Sequence, residues 1–197
     1  AGYSDITALH IVLNQRCGLV TYHTIMPSTE YWEPVDPFSM GELRRALFGG
    51  LTGVLPLPER AVPVPLAPGR AEGVLCGGNL TLVCASLGTP WEIDTRGKLL
   101  FLEDIGEKPR RIDAMLTQLR NAGKFADCAG VILGAWTDCP EEEGDLPLEE
   151  SFRELILPAG KPVLAGVPCG HVLPTWSLPL GARAVLDAGA GRLEVLS

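Results

Sequence analysis

Ser4, Glu103 and His171 are the residues of this chain whose types and order suit acyl transfer. A serine becomes a competent nucleophile only beside a base that is itself held by a third group. The order Ser…Glu…His is one that such triads take. Ser4 follows Gly2-Tyr3 and precedes a helix-like segment, the pattern of a strand-to-helix turn that presents a hydroxyl. Such a nucleophile elbow needs small residues where the backbone turns sharply, and its helix aims N–H groups at the reaction centre. Glu103 ends the apolar run Leu99-Leu-Phe-Leu-Glu103, and His171 lies in the stretch Gly166-Val-Pro-Cys-Gly-His-Val-Leu-Pro174. Plainer readings exist for each. Ser4 or Asp5 can simply cap a helix, Glu103-Asp104 can be a solvated strand end, and His171 a turn histidine. Successive strand residues face opposite ways, so at most one of Glu103 and Asp104 faces the site. His10 is a rival base, read as structural from the helix direction. Cys169 and His171 on one strand or turn make a poor geometry for mutual attack.

The elements that must position these groups alternate strand and helix, which predicts an α/β fold with a more β-rich end. Asp5 is expected to cap a first helix with Ile6, Leu9 and Leu13 on its apolar face, ending at Cys17-Gly18. Leu19–Tyr22 reads as a short strand, and Ser39-Met-Gly-Glu42 as a capping box opening a helix through Phe48. From Leu55 to Gly69 five prolines interrupt an apolar run, predicting an extended connector or edge segment. The expected division is therefore 1–54, the rest of a nucleophile domain; 55–72, a Pro-rich linker; and 73–197, a second domain carrying Glu103 and His171. Within it, strands are predicted at 73–76, 98–102, 129–133, 162–165, 182–186 and 193–196. Helices are predicted at 80–87, 111–121 and 148–157, the second with Ile112, Met115, Leu116 and Leu119 on one face.

Five segments in one order carry a resemblance: Gly2-Tyr-Ser-Asp-Ile-Thr-Ala-Leu-His10, Gly77-Gly-Asn-Leu80, Phe101-Leu-Glu-Asp-Ile-Gly-Glu107, Arg111-Ile-Asp113 and Gly170-His171 with Leu178-Pro-Leu-Gly181. Together they resemble the LD-carboxypeptidase family of serine peptidases, also called the muramoyltetrapeptide carboxypeptidase family. The resemblance implies Ser4 as nucleophile, His171 as general base and Glu103 as the residue orienting it. It also implies the backbone N–H of Asp5 as an oxyanion donor and Gly78-Asn79 near the substrate. The implied reaction releases the terminal D-alanine of a murein-derived tetrapeptide in cell-wall recycling, with no cofactor, in a cytoplasmic and commonly homodimeric protein. A branch that cleaves a peptidyl-nucleotide antibiotic for self-immunity uses the same acyl chemistry, and a non-catalytic fragment or binding module is the rival from another class. Family members carry roughly a hundred residues before this serine, a small-domain length. The expectation is that the strand leading into the elbow and a second oxyanion donor belong to that part, and that residues 1–197 alone are weakly active. Two local departures are His23-Thr-Ile-Met-Pro27 in place of a His-Gly-Pro run, and Arg110 in place of an aromatic residue.

Composition narrows the alternatives. A net charge of −8 over 197 residues, with scattered basic residues, argues against a nucleic-acid surface. No apolar run approaches the ~18 residues that span a bilayer. Six cysteines without regular spacing read as reduced thiols and not as a disulfide framework. No C-x-x-C or H-E-x-x-H occurs, so no metal is expected. Glu107 and Arg111 read as surface ion-pair partners.

Overall fold

A computed structural model of the protein describes residues 1–26 and 36–197. In chain order the first elements are α1 (Ile6–Cys17), β1 (Thr21–His23), α2 (Pro37–Arg44), β2 (Gly53–Val54), β3 (Val64–Ala67), β4 (Arg70–Asn79) and α3 (Leu80–Ala85). They continue with β5 (Leu99–Ile105), α4 (Pro109–Asn121), α5 (Lys124–Asp127), β6 (Gly130–Thr137), α6 (Leu148–Leu155) and β7 (Val163–Ala165). The last three are β8 (Leu178–Leu180), β9 (Arg183–Asp187) and β10 (Arg192–Val195).

Eight strands form one mixed sheet in the order β2-β10-β9-β4-β5-β6-β7-β3. The central strands β4, β5, β6 and β7 are parallel, while β9, β10 and β2 add antiparallel strands on one side and β3 on the other. A separate two-stranded ladder joins β1 to β8. Parallel strands buried on both faces need continuous apolar runs, and β5 meets this with Leu99 to Leu102, all without exposed surface. Leu100 and Leu102 face a layer with Leu80, Val83, Ile112, Leu116 and Leu119. Leu99 and Phe101 face Trp176, Leu178, Leu180, Leu186 and Leu193 on the other side. The two-residue period of the strand then decides the site: Glu103 continues the Phe101 face and Asp104 the Leu102 face. A bulge in the β5–β6 register falls between Leu102 and Asp104, a local re-aiming of side chains common beside functional sites.

The α/β class and the β-rich end match the expectation. Segment 55–72 supplies β3, an edge strand, and the start of β4. Pro65 fits there because β3 is an edge strand, with one side free of ladder hydrogen bonds. Three helix details differ. Asp5 stands at the N-cap of α1 without a side-chain hydrogen bond, because its own backbone is already helical. The buried face of α1 is Thr7, His10 and Ile11, while Leu9 is 55% exposed. Thr7 and His10 are buried with hydrogen-bond partners, which apolar periodicity does not report. Helix α2 starts at Asp36, whose side chain accepts from Phe38 N and Ser39 N with Pro37 in the first turn. Ser39 is therefore inside the helix, its hydroxyl accepting from Thr175 N. Strands β2 and β8 and the short α5 were too brief for a pattern to show. Pro27 lies outside the described residues. Among the described residues no helix is long and apolar enough to cross a membrane.

Candidate functional site

The first residues form an elbow. Gly2 lies parallel to β1, donating from its N to Tyr22 O at 2.9 Å and accepting at its O from Thr24 N at 3.2 Å. Two residues later the backbone of Ser4 takes φ +58°, a left-handed conformation that costs a non-glycine residue about 1–2 kcal/mol. Helix α1 follows at once, Thr7 N donating to Ser4 O at 2.9 Å. Gly2 has φ +148°, and a Cβ there would fall 2.9 Å from Ile6 Cγ1, so the turn requires glycine. His10 Nε2 donates to Gly2 O at 2.9 Å, tying the second turn of α1 back to the bridge residue before the serine. That bond gives His10 a structural place, and burial holds its pKa below the ordinary value.

Glu103 and His171 meet from opposite ends of the second half of the chain. The carboxylate Oε2 of Glu103 accepts from His171 Nδ1 at 2.7 Å and from the His171 backbone N at 3.3 Å. With Nδ1–H as donor, the imidazole keeps its Nε2 lone pair for a proton. Gly170 makes the approach feasible: at φ +122° its missing Cβ would lie 2.6 Å from Glu103 Oε2. Glu103 is fully buried. Desolvation raises its pKa above the ordinary carboxylate value, with the His171 hydrogen bond opposing. Thr137 Oγ1 donates to His171 O at 2.6 Å and fixes the loop from the end of β6.

Tyr3 connects the two halves. Its ring packs edge-on against the His171 imidazole, 4.4 Å between centroids at 79°. The residue before Ser4 thus touches the imidazole. Among the described residues no hydrogen bond joins Ser4 Oγ to His171. Ser4 is half-buried and Asp5 exposed.

Gly78 and Asn79 occupy the C-terminal end of β4, next to β5, with Asn79 opposite Glu103. Thr7 Oγ1 accepts from Asn79 N at 3.0 Å. The Asn79 side chain donates to Asp104 Oδ1 at 2.7 Å and accepts from Leu82 N at 3.3 Å, capping α3. Its side-chain amide therefore braces the strand end. Asp104 also accepts from Thr81 N and Thr81 Oγ1, so the two adjacent acids serve opposite faces as alternation requires. Cys169 is buried and its thiol pKa is pushed well above the ordinary value by desolvation, then by Glu103, which keeps it un-ionised. Glu107 and Arg111 form an ion pair at 3.5 Å on the surface.

Tyr3, Thr7 and His23 are site residues that sequence reasoning did not single out as such. His23 is almost fully buried, its Nε2 3.7 Å from Glu103 Oε1. For Tyr3 and Thr7 the signal was sequence proximity to Ser4, and for His23 its place after a short strand, where the resembled family has a His-Gly-Pro run.

Comparison with known proteins bears on the family and the fold. The family model described as LD-carboxypeptidase C-terminal domain matches residues 72–186. The protein named "Probable murein peptide carboxypeptidase" of Bacillus subtilis (strain 168) is 43% identical over 193 residues, covering 94% of this chain and 59% of its own length. The crystal structure of muramoyltetrapeptide carboxypeptidase from Oxalobacter formigenes superposes with TM-score 0.82 at 29% identity, over 98% of this chain and 66% of that one. The wild-type microcin C7 self immunity protein MccF superposes with TM-score 0.87 at 23% identity, over 100% of this chain and 66% of that one, a likeness of fold. The chain thus spans less than two thirds of the length of these relatives.

Proposed function

This chain belongs to the LD-carboxypeptidase family, and from that premise we propose that it carries the nucleophile, base and orienting acid of a serine carboxypeptidase. The observation that supports this most is the buried Glu103–His171 pair at 2.7 Å beside an elbow whose Tyr3 packs on the same imidazole. In the proposed mechanism Ser4 Oγ attacks the carbonyl of the terminal peptide bond and His171 Nε2 takes its proton. Glu103 holds the Nδ1–H tautomer and stabilises the imidazolium that forms. The Asp5 N–H, at the start of α1, donates to the oxyanion. His171 then protonates the leaving amine, and water, deprotonated by the same imidazole, releases the acyl group from Ser4.

The substrate we propose is a murein tetrapeptide, cleaved to release its terminal D-alanine. The 43% identity to a protein named for murein peptides favours it over the antibiotic-cleaving reading, whose relative, the microcin C7 self-immunity protein MccF, is 27% identical over 94% of this chain. Six unpaired cysteines support a reducing, cytoplasmic setting. The test is D-alanine release from murein tetrapeptide by protein carrying this chain, compared with its Ser4→Ala variant. Release that depends on Ser4 supports the proposal. Release unaffected by Ser4→Ala, or hydrolysis confined to a peptidyl-nucleotide, contradicts it.

A further inference from the structure

Two oxygens of one carboxylate have unequal surroundings at this site. Glu103 Oε2 takes both hydrogen bonds from His171, whereas Oε1 has no hydrogen-bond partner among the described residues. Facing Oε1 at 3.7 Å is Nε2 of His23, 1% exposed, whose two ring nitrogens are likewise unpartnered there. A buried polar atom left in this state is destabilising, so an apolar residue of similar size would be the more stabilising choice at position 23. The imidazole is fixed from several sides. Phe101 packs edge-on at 5.1 Å, Tyr3 lies at 6.2 Å and His10 at 6.0 Å between centroids. Less than an ångström of side-chain rotation closes the gap to a direct bond.

We infer that His23 is a positioning residue, a neutral Nε2–H donor to Glu103 Oε1 that fixes the carboxylate plane and with it the orientation of the His171 imidazole. The inference rests on the proposed role of Glu103 and His171. Burial, followed by the neighbouring His10 and His171, holds His23 well below its ordinary pKa, consistent with a neutral ring. A neutral donor is what the site needs. It steadies the buried carboxylate without adding a positive charge that would compete with the imidazolium forming on His171.

Two measurements test this separately. In 15N-labelled protein, long-range 1H–15N correlations report the tautomer of His23, assigned by its loss in His23→Gln. The expected state is Nε2–H; a proton on Nδ1 alone, or on both nitrogens, overturns the inference. In kinetics, His23→Gln places an amide N–H near the Nε2 position, whereas the shorter His23→Asn does not reach Oε1. His23→Asn is expected to lower kcat for D-alanine release by roughly 10-fold or more with KM little changed, and His23→Gln to recover most of that loss at similar Tm. Equal kcat in the two variants overturns the inference. If the wild-type protein releases no D-alanine, the proposed activity fails, and the tautomer measurement still decides the role of His23.

Discussion

Replacing Glu103 by Gln removes one charge while keeping the shape of a fully buried side chain. In the resting site Glu103 Oε2 accepts from His171 Nδ1 at 2.7 Å. When His171 takes the serine proton, that contact becomes an ion pair with charge centres about 4 Å apart. At an effective dielectric of about 20 the attraction is about 4 kcal/mol. A Gln carbonyl oxygen retains a neutral hydrogen bond of about 1 kcal/mol, leaving a net loss near 3 kcal/mol. At 1.36 kcal/mol per decade, kcat should fall on the order of 10²-fold. If the Gln amide turns its N–H toward Nδ1, the imidazole adopts the wrong tautomer and the loss is larger. Stability should move the other way or stay level, because desolvation of Glu103 raises its pKa and disfavours the charge in the fold. The assay pairs D-alanine release with urea unfolding of the same preparation. A kcat within fivefold of wild type, with the variant folded, would refute the role given to Glu103.

Ser4 sits at φ +58°, so Ser4→Gly should be more stable than Ser4→Ala by about 1 kcal/mol in urea unfolding while both are inactive; the reverse order would remove the strained elbow. His10 and His23 are buried with lowered pKa, so the unfolded chain binds more protons below pH 6.5. Stability is therefore fully present above about 6.5 and falls with decreasing pH by up to ~1.36 kcal/mol per unit per histidine. Glu103, with a raised pKa, contributes in the opposite sense between 4.5 and its folded value. His23→Gln should flatten the slope of stability between pH 6.5 and 5, and an unchanged slope would contradict the buried neutral ring. Cys17 is the exposed cysteine, so brief treatment with a thiol reagent should modify it and leave turnover intact; loss of activity on modification of Cys169 would revive a thiol mechanism.

Much of the frame was legible because the relevant patterns are local. The four-residue run Leu99–Leu102 marked β5, and its period of two separated Glu103 from Asp104. The apolar face of α4, with Ile112, Met115, Leu116 and Leu119, is buried as its spacing predicts. The less legible parts depend on contacts distant in sequence. Thr7 Oγ1 accepts from Asn79 N and His10 Nε2 donates to Gly2 O, so α1 is polar on its buried side while Leu9 is exposed. Asn79 became a brace through Asp104, 25 residues away. β8 and β2 are three and two residues long and gain their conformation from β1 and β10. At the site, Ser…Glu…His order and family resemblance named Glu103 and His171, which the fold brings to 2.7 Å, whereas the contacts of Tyr3 and His23 with that pair appear only in the fold.

The central claim is that Ser4 is a nucleophile activated by His171. A fluorophosphonate that forms a stable adduct only with an activated serine hydroxyl tests it without assuming a substrate. Protein carrying this chain should gain one adduct, mapped by peptide mass to Ser4, and His171→Ala should abolish or strongly slow the labelling while the fold is retained. Labelling at Ser4 that proceeds equally in His171→Ala, or an adduct mapped to another residue, would contradict the account.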